Sequence, residues 1–197
     1  MLDDARRARD FPSLERIAYL NTAAEGIPPL SVGEALQRYF SHKVMGMDGR
    51  ALFSREFEAC RESAAALLGL SAPEISFASS TSEAYNLLAT AVSFAEGDDL
   101  VLSNLDFPSG VTPWLQHRDG PVVQLWEHRD GVLELDDLAA MLSERTRLVQ
   151  VSLVSFLTGY RIPWDPFRDL VRERAPHALL AVDVTQAAGR VALDCLD

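Results

Sequence analysis

Four stretches of this 197-residue chain carry side chains suited to chemistry. Ser79-Ser80-Thr81-Ser82-Glu83 places hydroxyls at the expected start of a helix, where unpaired N–H groups and the positive end of the helix dipole favour an anion. Ser80 and Glu83 also have the spacing of a capping box, which needs no ligand. Hydroxyls at every position from Ser79 to Ser82 exceed what a cap needs, so a phosphate cup remains open. Asp183 closes the apolar run Leu179-Leu180-Ala181-Val182, with Gln186 three residues on. A carboxylate ending a buried central strand is costly unless it meets a cation or several donors, and a protonated ring nitrogen would serve. The alternative is an Asp capping the next turn, with Gln186 on the surface. Phe107, in Asp106-Phe107-Pro108, could stack on a flat ring or belong to the core. Ser155-Phe156-Leu157-Thr158-Gly159 adds hydroxyls and a glycine, and by itself reads as a loop.

These stretches need elements to position them. Apolar residues at helical spacing predict helices over Val32–Met45 and Phe53–Leu68, the second stopped by Gly69. From there short apolar runs alternate with amphipathic stretches. Strands are predicted at Ile75–Ala78, Leu100–Leu102, Val122–Trp126, Leu148–Ser152 and Leu179–Val182. Helices are predicted at Ser82–Phe94, Val111–His117, Leu135–Leu142 and Trp164–Arg174. Near-continuous apolar strands separated by helices imply an α/β fold, a mainly parallel sheet with helices on both faces. Ligands of such sheets bind beyond the carboxyl ends of the strands, where all four stretches fall. Together they describe a pocket for a flat, phosphorylated, pyridine-type cofactor.

Composition narrows the field. Hydrophobic residues make up 48% and charged residues 24%, which excludes a disordered or fibrous chain. The net charge of −11, without a local basic groove, argues against nucleic acid. No apolar run is long enough to span a bilayer, and the first residues do not read as a signal peptide. The two cysteines, Cys60 and Cys195, suggest neither a metal cage nor a redox pair, and free thiols fit the cytoplasm. No Gly-x-Gly-x-x-Gly follows a strand, which disfavours a nicotinamide fold. Lys43 is the only lysine.

From Tyr19-Leu20-Asn21-Thr22-Ala23-Ala24 to its end, the chain resembles the class V aminotransferase family of pyridoxal-phosphate enzymes, which includes cysteine desulfurases, kynureninases and isopenicillin-N epimerases. The opening segment matches the family's, and Ser80-Thr81-Ser82-Glu83-Ala84-Tyr85-Asn86 is similar to its phosphate-binding turn. The resemblance implies that Thr81 and Ser82 hold the phosphate of pyridoxal 5'-phosphate and that Phe107 stacks on its ring. By the same resemblance Asp183 pairs with the pyridine nitrogen and Gln186 faces the ring hydroxyl. It also implies the aspartate-aminotransferase-like (fold type I) large domain, an amino acid or amine substrate and a homodimer.

Departures shape the expectation. Cysteine desulfurases place a His where this chain has Phe107, which points toward the kynureninase- or epimerase-like branch. Phe156 stands where many members carry Asn. The family's cofactor-bearing lysine lies shortly after the next strand, beyond Asp197. Ser41-His42-Lys43 mimics that motif but belongs to the N-terminal helix. The expected organisation is therefore an N-terminal segment and helix over 1–50 and a partial cofactor-binding large domain over 51–197. The C-terminal small domain is expected to be absent, and the piece is expected to be inactive by itself. The competing expectation is a non-catalytic α/β module that binds a phosphorylated ligand.

Overall fold

The computed structural model describes residues 3–116 and 120–193; His117, at the end of one predicted helix, and Cys195 lie outside them. The chain forms two compact units, one up to Ser76 and one from Phe77 onward. The first is helical: α1 (Asp4–Asp10), α2 (Leu30–Lys43) and α3 (Arg50–Leu68). The α3 helix ends at Gly69 with φ 70°, a left-handed C-cap that costs glycine nothing. Between α2 and α3, Tyr39 and Phe53 lie 5.2 Å apart, and the Lys43 ammonium stands 5.8 Å from the Phe53 ring centre.

The second unit holds α4 (Thr81–Ala91), β1 (Asp99–Ser103), α5 (Pro108–Leu115), β2 (Val122–Trp126), α6 (Leu135–Met141), β3 (Thr146–Ser152), α7 (Trp164–Arg174) and β4 (Leu179–Asp183). The strands form one sheet in the order β2-β1-β3-β4, and every pairing is parallel. Side chains of a strand alternate between faces. Leu100, Leu102 and Leu148 turn to one face and pack with Ala89 of α4 and Trp114 of α5. On the other face Trp126 stacks on Phe167 of α7, with ring centres 6.1 Å apart, and Gln124 donates to the Met141 carbonyl of α6 at 3.0 Å. Helices thus cover both faces, and the expected α/β architecture is what forms.

Two expectations need correction. Ile75–Ala78 is not a strand. Ile75 is extended (φ −101°, ψ 127°), but extended backbone becomes a strand only when a neighbour takes its N–H and C=O groups. Secondly, β4 is an edge strand among the described residues, and its residues are half-buried or exposed. The central strands are β1 and β3. Helix ends also shift. The α4 helix stops at Ala91, although Val92 and Phe94 still pack on the core and so prolong the apolar pattern. The α5 helix starts early, at Pro108, whose missing N–H is no loss in a first turn.

Candidate functional site

The strand order creates a crevice. The chain moves from β1 through α5 to β2 on one side, and from β3 through α7 to β4 on the other. Since α5 and α7 cover opposite faces, the segments leaving β1 and β3 part from each other at the carboxyl edge. That is the switch point where open α/β sheets bind ligands. The Asp106-Phe107 and Ser155-Phe156 segments flank it.

Thr81 and Ser82 form the first turn of α4. The Ser80 hydroxyl caps this helix by accepting from the Glu83 N–H at 3.2 Å. The Glu83 carboxylate accepts from the Ser79 N–H rather than from Ser80, so the capping box is displaced by one residue. Hydrogen bonds from Ser79 hold the Glu83 carboxyl below the usual carboxylate range. Capping therefore consumes Ser79 and Ser80. Among the described residues, the hydroxyls and N–H groups of Thr81 and Ser82 have no partner. Four donors thus stand in the first turn of α4, at the positive end of the helix.

Asp183 ends β4 half-buried, and one of its carboxylate oxygens accepts from the Thr185 N–H at 2.8 Å. The turn-capping role is thus real, and it leaves the other oxygen for a second partner. Thr81, Tyr85, Val182 and Asp183 line a common cavity of about 390 Å³. Ser82 and Phe107 line a second one of about 410 Å³, with Asn86 and Pro108. Phe107 is 50% exposed and so is not core. It meets Phe156 edge-to-face across the crevice, with ring centres 5.0 Å apart and planes at 77°. Gln186 lies half-buried in the turn after β4 and lines neither cavity.

The burial argument that the sequence attaches to Asp183 belongs to Asp106 instead. Asp106 is 8% exposed. Its carboxylate accepts from the Ser103 N–H at 3.0 Å and from the Ser152 N–H at 2.6 Å, tying the ends of β1 and β3 together. Burial pushes its pKa up to about 6 despite these bonds, and the charge of Asp183 adds to the rise. Tyr85, also buried, is raised by burial and by the charges of Asp183 and Asp106. Behind them Gln150 accepts from the Trp114 indole at 2.8 Å. A Cβ on Gly110 would stand 2.4 Å from the Gln150 amide nitrogen and 3.3 Å from the Tyr85 ring, so any larger residue there must displace the buried Gln150 side chain. Sequence reasoning missed Asp106, Tyr85 and Gln150. The Ser103-x-x-Asp106 spacing and the lone glutamine in the apolar run of β3 were the available signals.

Among the described residues, no group of His, Cys, Asp and Glu could hold a metal ion, and no helix is long and apolar enough to cross a membrane. Residues 18–197 match the profile of the family described as Aminotransferase class-V. The chain belongs to that family. As a class V chain it is 32% identical to a probable cysteine desulfurase of Methanothermobacter thermautotrophicus, over 98% of its own length and 49% of the relative's. It spans about half the length of the curated relatives it matches. Among solved structures, the cysteine desulfurase CsdA of Escherichia coli superposes with a TM-score of 0.85 at 22% identity, covering all of this chain and 52% of the other. A mutant of C-DES with glycine covalently linked to its PLP cofactor superposes at 0.84 with 19% identity, covering 95% and 51%. The fold is shared with both.

Proposed function

We propose that this class V chain carries the cofactor-binding part of a pyridoxal-phosphate-dependent enzyme acting on an amino acid or amine. One observation carries the reading: Thr81, with its uncommitted donors, and Asp183 line a single cavity at the carboxyl edge of a parallel sheet. The donor set suits the cofactor. Four free N–H and O–H groups at a helix N-terminus match a phosphate, and a carboxylate with one oxygen to spare matches a protonated ring nitrogen. The cofactor when bound supplies an electron sink for charge developing on a substrate carbon.

The chain's own residues would do the rest. Thr81 and Ser82 hold the phosphate end. Asp183 keeps a proton on the ring nitrogen by pairing with it, while its bond from Thr185 fixes the carboxylate plane. Phe107, steadied by Phe156, offers an aromatic face that can pack on a ring but can neither give nor take a proton. Gln186 faces the ring hydroxyl. Proton transfer at the substrate carbon therefore falls to a group other than Phe107. Lys43 already sits over Phe53 in the helical unit, so we assign it no part in the chemistry and expect no turnover from this chain alone. A transaminase, lyase or epimerase reaction, a homodimer and a cytoplasmic setting complete the proposal.

Pyridoxine 5'-phosphate, which lacks the reactive aldehyde, tests the reading on this chain by equilibrium dialysis. Saturable binding is expected, weakened about tenfold or more by Thr81→Ala and by Asp183→Ala. Loss in the first variant with none in the second favours a module that binds only a phosphorylated group, a reading supported by the turn-capping bond of Asp183. No binding by the parent chain ends both readings.

A further inference from the structure

Asp106 has no part in the functional reading so far, yet it is the most deeply buried carboxylate at the crevice. Its two acceptor bonds join main-chain N–H groups of β1 and β3, and Ser152 stands in register with Asp183 on β4. The Asp183 carbonyl in turn accepts from the Leu153 N–H at 2.9 Å. One short run of main chain thus links the two carboxylates, and Phe107 follows Asp106 directly. A buried charge that only tied strand ends together would be an expensive clamp, because a neutral acceptor could take the same two N–H groups.

We infer that Asp106 is a positioning residue that acts through Asp183: a buried negative charge added to that of the half-buried Asp183, which strengthens the hold of the site on a cationic heterocycle. This rests on the functional reading above. Two carboxylates at the same carboxyl edge make a stronger field than one, and the low-dielectric surroundings of Asp106 let its charge reach further than a solvated one. The charge acting on it is that of Asp183 at the end of β4, and its own charge acts in turn on the Tyr85 phenol of α4. Neither neutralises it, since the phenol stays protonated. Its pKa of about 6 leaves Asp106 ionised at neutral pH, so the second charge is present there and is lost in acid.

The test follows the ring nitrogen of bound pyridoxine 5'-phosphate by its ultraviolet absorbance across pH, in the parent chain and in Asp106→Asn. The variant keeps the shape and loses the charge. The pH at which the bound ring gives up its proton is expected to fall by roughly half to one unit. An unchanged midpoint, even with weaker binding, would mean that Asp106 is a clamp only and would overturn the inference. Should the variant not fold, carboxyl carbon NMR of the parent chain decides the matter. Binding must be reciprocal, so adding the probe should lower the titration midpoint of Asp106, and a midpoint that stays put overturns the inference too. If the parent chain binds no probe, the functional reading has failed and this inference with it. If it binds while both midpoints hold still, only the role of Asp106 is lost.

Discussion

Asp106 shows how much one buried oxygen pair can do. Its pKa is raised to about 6, so folding disfavours the ionised form relative to the unfolded chain, although that form still predominates at neutral pH. A group raised in this way adds stability below its unfolded pKa, and that contribution disappears as the pH climbs through the folded value. Comparing urea unfolding of the parent chain with that of Asp106→Asn from pH 4 to pH 7 should therefore show the parent losing ground by up to roughly 3 kcal/mol. A difference that stays flat with pH would contradict the assignment. The sequence reading placed the costly carboxylate at Asp183, because an acid after an apolar run resembles one that ends a central strand. Asp106 follows an apolar run as well. What set the two apart was which strand lies in the middle of the sheet, and no local pattern encodes that.

Elements were more legible than the contacts between them. Runs such as Leu148-Val149-Gln150-Val151-Ser152 can bury both faces only in a parallel sheet with helices above and below, and that is the sheet that forms. The first turn of α4 was legible for a similar reason, since its hydroxyls outnumber what a cap can use. Ile75–Ala78 misled because β-propensity describes a half-buried pleated surface, and it makes a strand only when a partner strand is at hand. The bond from Trp114 to Gln150 spans 36 positions and could not be read from spacing. It has an element-scale consequence at Gly110, where α5 lies against β3. Gly110→Ala would push a methyl group into the Gln150 amide and strain that bond, and a loss of about 1–3 kcal/mol is expected in thermal or urea unfolding. If Gly110→Ala unfolds like the parent, the close approach of α5 to β3 is looser than described.

For the molecule as a whole, charge sets the terms of ligand approach. A net charge of −11 repels a phosphorylated ligand at long range, whereas the helix terminus at Thr81 attracts it only within the first turn. Salt screens the distant repulsion first. The association rate of pyridoxine 5'-phosphate, followed by stopped flow, should therefore rise with ionic strength up to roughly 0.15 M. A rate that falls steadily from the lowest salt would mean that the local attraction dominates the approach.

The three tryptophans, Trp114, Trp126 and Trp164, are all buried, and all lie in the unit that begins at Phe77. Indole emission from this chain is therefore a private signal of the sheet and its covering helices, and the helical unit before it is dark at those wavelengths. Circular dichroism in the amide region receives light from both. Melting curves recorded by the two methods thus sample different parts of one polypeptide, and any gap between them measures how far the two units lose their structure independently.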